Sequence, residues 1–135
     1  MYYSPTNAYC GPDPNYRAPQ QTPQRPAEVW QDRYGAIYLD WTQGALGTSS
    51  NMASRPAAET AALADCKARG GVGCKQLNSY RNSCAAFSAA DAGYASASDR
   101  TLDAAKQASM EECKNKGNTK CHVYYTDCSQ PVRIQ

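Results

Sequence analysis

Two stretches of this chain are versions of one another, and each carries cysteines at matching places. Ser54 to Cys84 reads SRPAAETAALADCKARGGVGCKQLNSYRNSC, and Thr101 to Cys128 reads TLDAAKQASMEECKNKGNTKCHVYYTDC. Laying Ser54 on Thr101 brings Ala57 and Ala58 onto Ala104 and Ala105, Cys66 onto Cys113, Gly70 onto Gly117 and Cys74 onto Cys121. Cys84 meets Cys128 once three residues are dropped from the second stretch. A duplication of this kind constrains the fold strongly: whatever architecture one half adopts, the other repeats.

The repeat has little apolar bulk to work with. Among 135 residues there are two Ile, five Leu, four Val and one Phe. That is thin for one domain, the size class this length implies, and by itself it points toward disorder. Ten Tyr and two Trp oppose that, since each can bury a large area. So do the seven cysteines, because small domains with poor cores need covalent staples. Zinc is the rival use for them. No CxxC pair occurs and His122 is the lone histidine, so the common zinc spacings are missing. The cysteines therefore read as disulfides formed in an oxidising compartment.

A formal charge of +2 with no extended Lys/Arg cluster gives no electrostatic footprint for nucleic acid. No run of apolar residues is long enough to span a bilayer. No signal-peptide pattern opens the sequence, and the chain is expected to be a mature or trimmed form. Residues 1–30 read as a flexible Pro/Gln/Tyr-rich arm, with Pro5, Pro12, Pro14, Pro19, Pro23 and Pro26 interleaved with Gln20, Gln21 and Gln24. Cys10 lies in this arm. It is the odd cysteine, expected to be unpaired or to bond between molecules.

Residues 31–135 read as one disulfide-rich α+β domain built from repeats at 34–84 and 85–128. Tyr34 to Trp41 alternates as a strand, with Ile37, Leu39 and Trp41 on one face. Thr42-Gln43-Gly44 turns the chain and Ala45 to Ser50 returns it, as a weak strand suited to an edge because of Gly47. Ser54 caps a helix with Pro56 in its first turn, Ala58, Ala61, Ala62 and Cys66 form its stripe, and Gly70-Gly71 stops it. Cys74 to Cys84 reads as one strand. The second half repeats the order: strands at 85–89 and 94–98, a helix capped by Thr101 and ended by Gly117, and a strand from Lys120 to Cys128. The expected fold is thus a duplicated ββαβ unit, forming an antiparallel-rich sheet with two helices packed on one face.

Six cysteines allow fifteen connectivities, and the repeat narrows them. Cys66 ends a helix and Cys74 begins the returning strand, so a tight reversal can bring them within bonding range. Cys113 and Cys121 share that context. The remaining pair is Cys84–Cys128, taken as equivalent strand ends that meet near a two-fold axis and so join the halves.

No catalytic set emerges. His122 is the only histidine available to a triad, and it adjoins a cysteine expected to be bonded. Glu111 and Glu112 are adjacent on a helix and point apart, while Asp40 and Asp127 are not shown to face one another. Gly70-Gly71-Val72-Gly73 follows a helix instead of preceding one, unlike a phosphate loop. No cofactor or metal is expected. The aromatics remain: most belong in a core, but Trp41, Tyr80, Arg81, Tyr94 and Tyr124 are candidates for a protein-binding surface.

The RYGAIYLD opening, the helix end AALADC, the step RNSCAAF and the closing CHVYYTDCSQPVRIQ resemble the bacterial family known as domain of unknown function 4189. The resemblance covers residues 33–135 and implies a small exported protein, periplasmic or extracellular. It supplies no catalytic residues. Relatives with a Gln/Pro-rich arm are similar to periplasmic partners of secreted antibacterial effectors. The functional expectation is therefore a non-enzymatic immunity or inhibitor protein that neutralises a lipase or cell-wall hydrolase. The alternative is a secreted factor acting on a host or on the envelope.

Overall fold

The computed structural model describes residues 27–134. The N-terminal arm up to residue 26, and Cys10 with it, lies outside the described residues. Ten elements follow in order: β1 (Trp30–Gln31), β2 (Tyr34–Asp40), β3 (Ala45–Met52), α1 (Arg55–Ala68), β4 (Lys75–Arg81), β5 (Ser83–Ala89), β6 (Tyr94–Asp99), α2 (Leu102–Asn115), β7 (His122–Ser129) and β8 (Val132–Arg133). The class is α+β, all pairings are antiparallel, and β2–β3–α1–β4 is repeated as β5–β6–α2–β7.

Local chemistry sets the helices. The Ser54 hydroxyl accepts the Ala57 N–H at 3.2 Å, and Thr101 does the same for Ala104 at 3.2 Å. Each satisfies a donor that the first turn leaves open. Gly70 and Gly117, both with positive φ, reverse the chain after the last turns.

The strands depart from the expectation of a single sheet. They form two three-stranded sheets, ordered β3-β2-β4 and β6-β5-β7, with β1 and β8 as a separate pair. The two main sheets lie face to face through Ile37, Leu39, Tyr80, Ala85 and Phe87. The helices lie on opposite outer sides, not on one face: α1 covers Ala36 with Ala58 and Ala62, and α2 covers Ala86 and Cys84 with Ala105. The cause is the alternation along β2 and β5. Each central strand is apolar on both sides, so one side takes a helix and the other takes the partner sheet. The result is four layers, α–β–β–α.

The junction of the halves also differs from the expectation. The stretch from Cys74 to Cys84 is not one strand. It breaks at Asn82, which adopts φ 53°. The Asn82 N–H donates to Arg33 O at 2.9 Å, its Oδ1 accepts the Arg33 N–H at 2.9 Å, and its Nδ2 donates to Asp32 Oδ1 at 2.9 Å. Asn and its short amide tolerate this left-handed geometry better than most residues. The chain thus crosses from the first sheet to the second at Asn82, and Cys84 belongs to β5.

The disulfides join Cys66 to Cys74, Cys113 to Cys121 and Cys84 to Cys128. The third does not lock one half to the other. Cys84 and Cys128 face each other across β5 and β7, inside the second sheet. Their counterparts in the first sheet are Tyr34 and Arg81, which oppose each other across β2 and β4. A register shift after Ile37 in the first sheet recurs after Phe87 in the second, which fixes this correspondence.

Candidate cleft between the two sheets

At the end where β2 and β5 finish, the sheets do not close. A cleft of about 460 Å³ opens there between Leu39, Trp41, Gly44 and Leu46 on one side and Phe87, Ala89, Ala90 and Tyr124 on the other. Its origin is legible in side-chain size. Ala89 and Ala90 follow Phe87, so the inter-sheet filling shrinks abruptly at this end.

Two aromatics, Trp41 and Tyr124, form the lip, with Tyr94 behind Trp41. Trp41 is 44% exposed, and its ring centroid lies 4.8 Å from that of Tyr94. Tyr94 continues to Phe87 at 6.2 Å. Tyr124, 64% exposed, lies 6.3 Å from Phe87 and 4.4 Å from the His122 ring. Lys116 holds its ammonium 5.6 Å from the Tyr94 ring and donates to Tyr94 O at 3.2 Å. Lys75 borders the lip beside Leu39, Trp41 and Tyr94. Arg69 borders the opposite flank beside Gly44, Leu46 and Tyr125, and it is paired with Asp65 at 3.1 Å.

The lip rests on fixed supports. Asp40, buried at the end of β2, accepts N–H bonds from Val72 and Gly73 at 2.8 Å each and from Gln43 at 3.1 Å. The Gly73 and Val72 donors, then Gln43, hold its carboxyl below the usual carboxylate range. Together with the Cys66–Cys74 bond, this carboxylate pins the loop that carries Val72, whose side chain is 80% exposed. The Cys113–Cys121 bond ties the equivalent loop of the second half.

Of the five residues singled out as a binding surface, Trp41 and Tyr124 line the cleft and Tyr94 packs behind Trp41. Tyr80 does not: it is 3% exposed and packs in the inter-sheet core, its ring against Gly35. Burial pushes its phenol pKa up. Arg81 is exposed but sits opposite Tyr34, at the far end of β2, 3.5 Å from Asp32. Leu39, Leu46, Phe87 and Ala89 line the cleft, and Lys116 stands behind its lip on Tyr94; none of these was anticipated. The signal available for them was the small pair Ala89-Ala90, just past Phe87, the one large inward residue of β5.

The polar candidates are dispersed. Asp40 ends β2 by the cleft, whereas Asp127 opposes Ala85 near the start of β5 and accepts the Tyr125 hydroxyl at 3.0 Å. Burial, the largest influence, raises the Tyr125 pKa. His122 Nδ1 lies 3.4 Å from Lys120 O, and its neighbour Cys121 is disulfide-bonded. Among the described residues, no group of three His, Cys, Asp or Glu side chains is placed to hold a metal. No described helix is long and apolar enough to cross a membrane.

The model of one protein family, described as Domain of unknown function (DUF4189), matches residues 34–128. The chain belongs to that family. No curated protein and no solved structure matches it. The matched span begins with the first residue of β2 and ends at Cys128 in β7, so the DUF4189 domain is the pair of ββαβ units. All eight residues lining the cleft, and all six bonded cysteines, fall inside it. The short β1–β8 pair lies outside.

Proposed function

We propose that this protein is a non-enzymatic binding module of the periplasm or extracellular space, which neutralises a secreted antibacterial effector by capturing it at the cleft. A lipase or a cell-wall hydrolase is the effector class in view. One observation carries the reading: Trp41 and Tyr124, 44% and 64% exposed, line one apolar cleft, and Tyr94 backs the Trp41 ring at 4.8 Å. Tyr and Trp dominate the energetics of protein interfaces, above all where they border a pocket that excludes water. The loops on either side are held by disulfides, so little freedom is lost on docking. Disulfides also persist in oxidising compartments, which supports the location.

The test is periplasmic co-expression with the product of the adjacent gene, followed by purification of the complex. Protection from a toxic neighbour is the expected result. Trp41→Ala combined with Tyr124→Ala is expected to weaken the complex by 30-fold or more, about 2 kcal/mol or above. Arg81→Ala, at the far end of the sheet, is expected to change it by less than threefold. A non-toxic neighbour, or protection that survives loss of both aromatics, refutes the proposal.

A further inference from the structure

We infer that the cleft is a binding site for a single-chain anionic amphiphile, an alkyl carboxylate of medium length. This goes beyond the capture of a protein partner and stands without one. The walls are hydrocarbon: Leu39, Leu46, Phe87 and Ala89, with Trp41 and Tyr124 at the lip. The volume of about 460 Å³ lies within the range of small-molecule sites. The cleft is open to solvent, so this volume is an upper bound: at roughly 30 Å³ for each water-sized group it takes at most about fifteen of them, which admits a chain of up to ten to fourteen carbons.

The central strands in the wall favour an alkyl chain over a peptide backbone. Leu39 and Ala89 belong to β2 and β5, the central strands, whose backbone groups face neighbours on both sides. A peptide backbone laid over these two strands would leave its own N–H and C=O groups without partners on them, at a large cost, whereas a protein that docks on the lip aromatics need not enter that far. An alkyl chain has no such groups to satisfy.

Charge at the lip chooses the head group. Lys75 and Lys116 lie on the flank of Trp41 and Tyr94. No carboxylate forms an ion pair with either lysine among the described residues. The carboxylates nearby are otherwise engaged: Asp65 with Arg69, and Asp40 with three backbone N–H groups. A carboxylate head emerging beside Trp41 meets uncompensated positive charge, whereas a quaternary ammonium head meets repulsion.

Titration of Trp41 fluorescence tests this, in a Trp30→Phe background so that one indole reports. Octanoate, decanoate and dodecanoate are added below their micelle concentrations, with decyltrimethylammonium as the cationic control. Saturable binding is expected, with Kd falling two- to fourfold for each added methylene and little response to the ammonium. Lys75→Glu with Lys116→Glu is expected to raise the decanoate Kd at least fivefold. Leu46→Asp, which charges a wall, is expected to abolish binding. The exposed lysine variants keep the test open if that one fails to fold. Four results overturn the inference: affinity independent of chain length, equal binding of the ammonium, a response only to anionic vesicles, or sedimentation showing that a second copy fills the cleft.

Discussion

Gly47→Ala is expected to be among the most damaging single-methyl changes available to this fold. Gly47 sits in β3, opposite Tyr38 of β2, on an edge strand that α1 crosses. A Cβ there would come closer than 3.0 Å to the Cys66 nitrogen, the Cys66 Cα and the Ala62 carbonyl oxygen. All three are backbone atoms, so no rotamer change relieves the overlap. The helix itself must retreat. It cannot do so freely, because Cys66 is bonded to Cys74, Ser49 Oγ donates to Ala58 O at 2.6 Å, and the Thr48 N–H donates to Asp65 Oδ2 at 3.0 Å. The cost is set at about 3 kcal/mol, the upper end for overpacking. For a domain of this size that lowers Tm by roughly 12–20 °C. Gly44→Ala is the control: no atom lies within 4 Å of its added Cβ, so only its φ of 66° is strained, at about 1–2 kcal/mol. Thermal melts followed by circular dichroism, with disulfides intact, compare the two. A Gly47→Ala protein melting within a few degrees of the parent, or no lower than Gly44→Ala, refutes the close approach of α1.

Replacing both Cys84 and Cys128 by Ser opens a loop with a sequence separation of 44 and is expected to cost about 4 kcal/mol in guanidinium unfolding; a loss under 1 kcal/mol contradicts it. Ser88 Oγ and Ser109 Oγ, both fully buried, lie 2.6 Å apart and join β5 to α2. Ser109→Ala is expected to cost about 1–2 kcal/mol by orphaning Ser88 Oγ, Ser88→Ala less because Ser109 Oγ still donates to Lys106 O at 3.0 Å, and the double variant less than the sum; strict additivity argues against the bond. Asp40 has a lowered folded pKa, so its contribution is present above the ordinary carboxylate pKa of about 4 and is lost as pH falls through the lower folded value. Asp40→Asn is therefore expected to show a shallower loss of Tm on acidification than the parent, and parallel curves refute the role.

Much of the local structure was legible because it rests on short-range chemistry. Ser54, Thr101, Gly70 and Gly117 mark helix ends by their own hydrogen bonding and backbone preference, and they stand where expected. The alternation of Ile37 and Leu39 against Ala36 and Tyr38 likewise survives as the two faces of β2. What escaped depends on a single residue. Asn82 carries no glycine or proline beside it, so the run from Cys74 to Cys84 reads as continuous, yet its left-handed backbone moves the chain between sheets. Cys84 was thereby assigned to the wrong half. Its bond to Cys128 forms for a different reason: the two face each other in one ladder. Tyr80 could not be told from Tyr94 by type, because what buries it is Gly35, the residue opposite it across the ladder, which leaves room for its ring.

The halves cohere, then, without a disulfide between them among the described residues. Large side chains do that work: Ile37, Tyr80 and Phe87 fill the space between the sheets, and two polar ties close the sides. The Asn51 N–H donates to Ser129 Oγ at 2.9 Å, from β3 to β7, and Asn78 Nδ2 donates to Ser96 Oγ at 3.1 Å, from β4 to β6. Under the helices the chain uses alanine, which lets them approach closely but buries little area per residue. Sulfur supplements these thin layers, and two of its three bonds tie a helix end to the strand that follows. Those two bonds stand at the end of the sandwich where, beyond Phe87, only Ala89 and Ala90 follow on β5 and its exit. The same scarcity of large aliphatic residues that calls for staples thus leaves the sheets apart at that end. An open apolar cleft is tolerable there because the loops beside it are covalently fixed and cannot collapse into it.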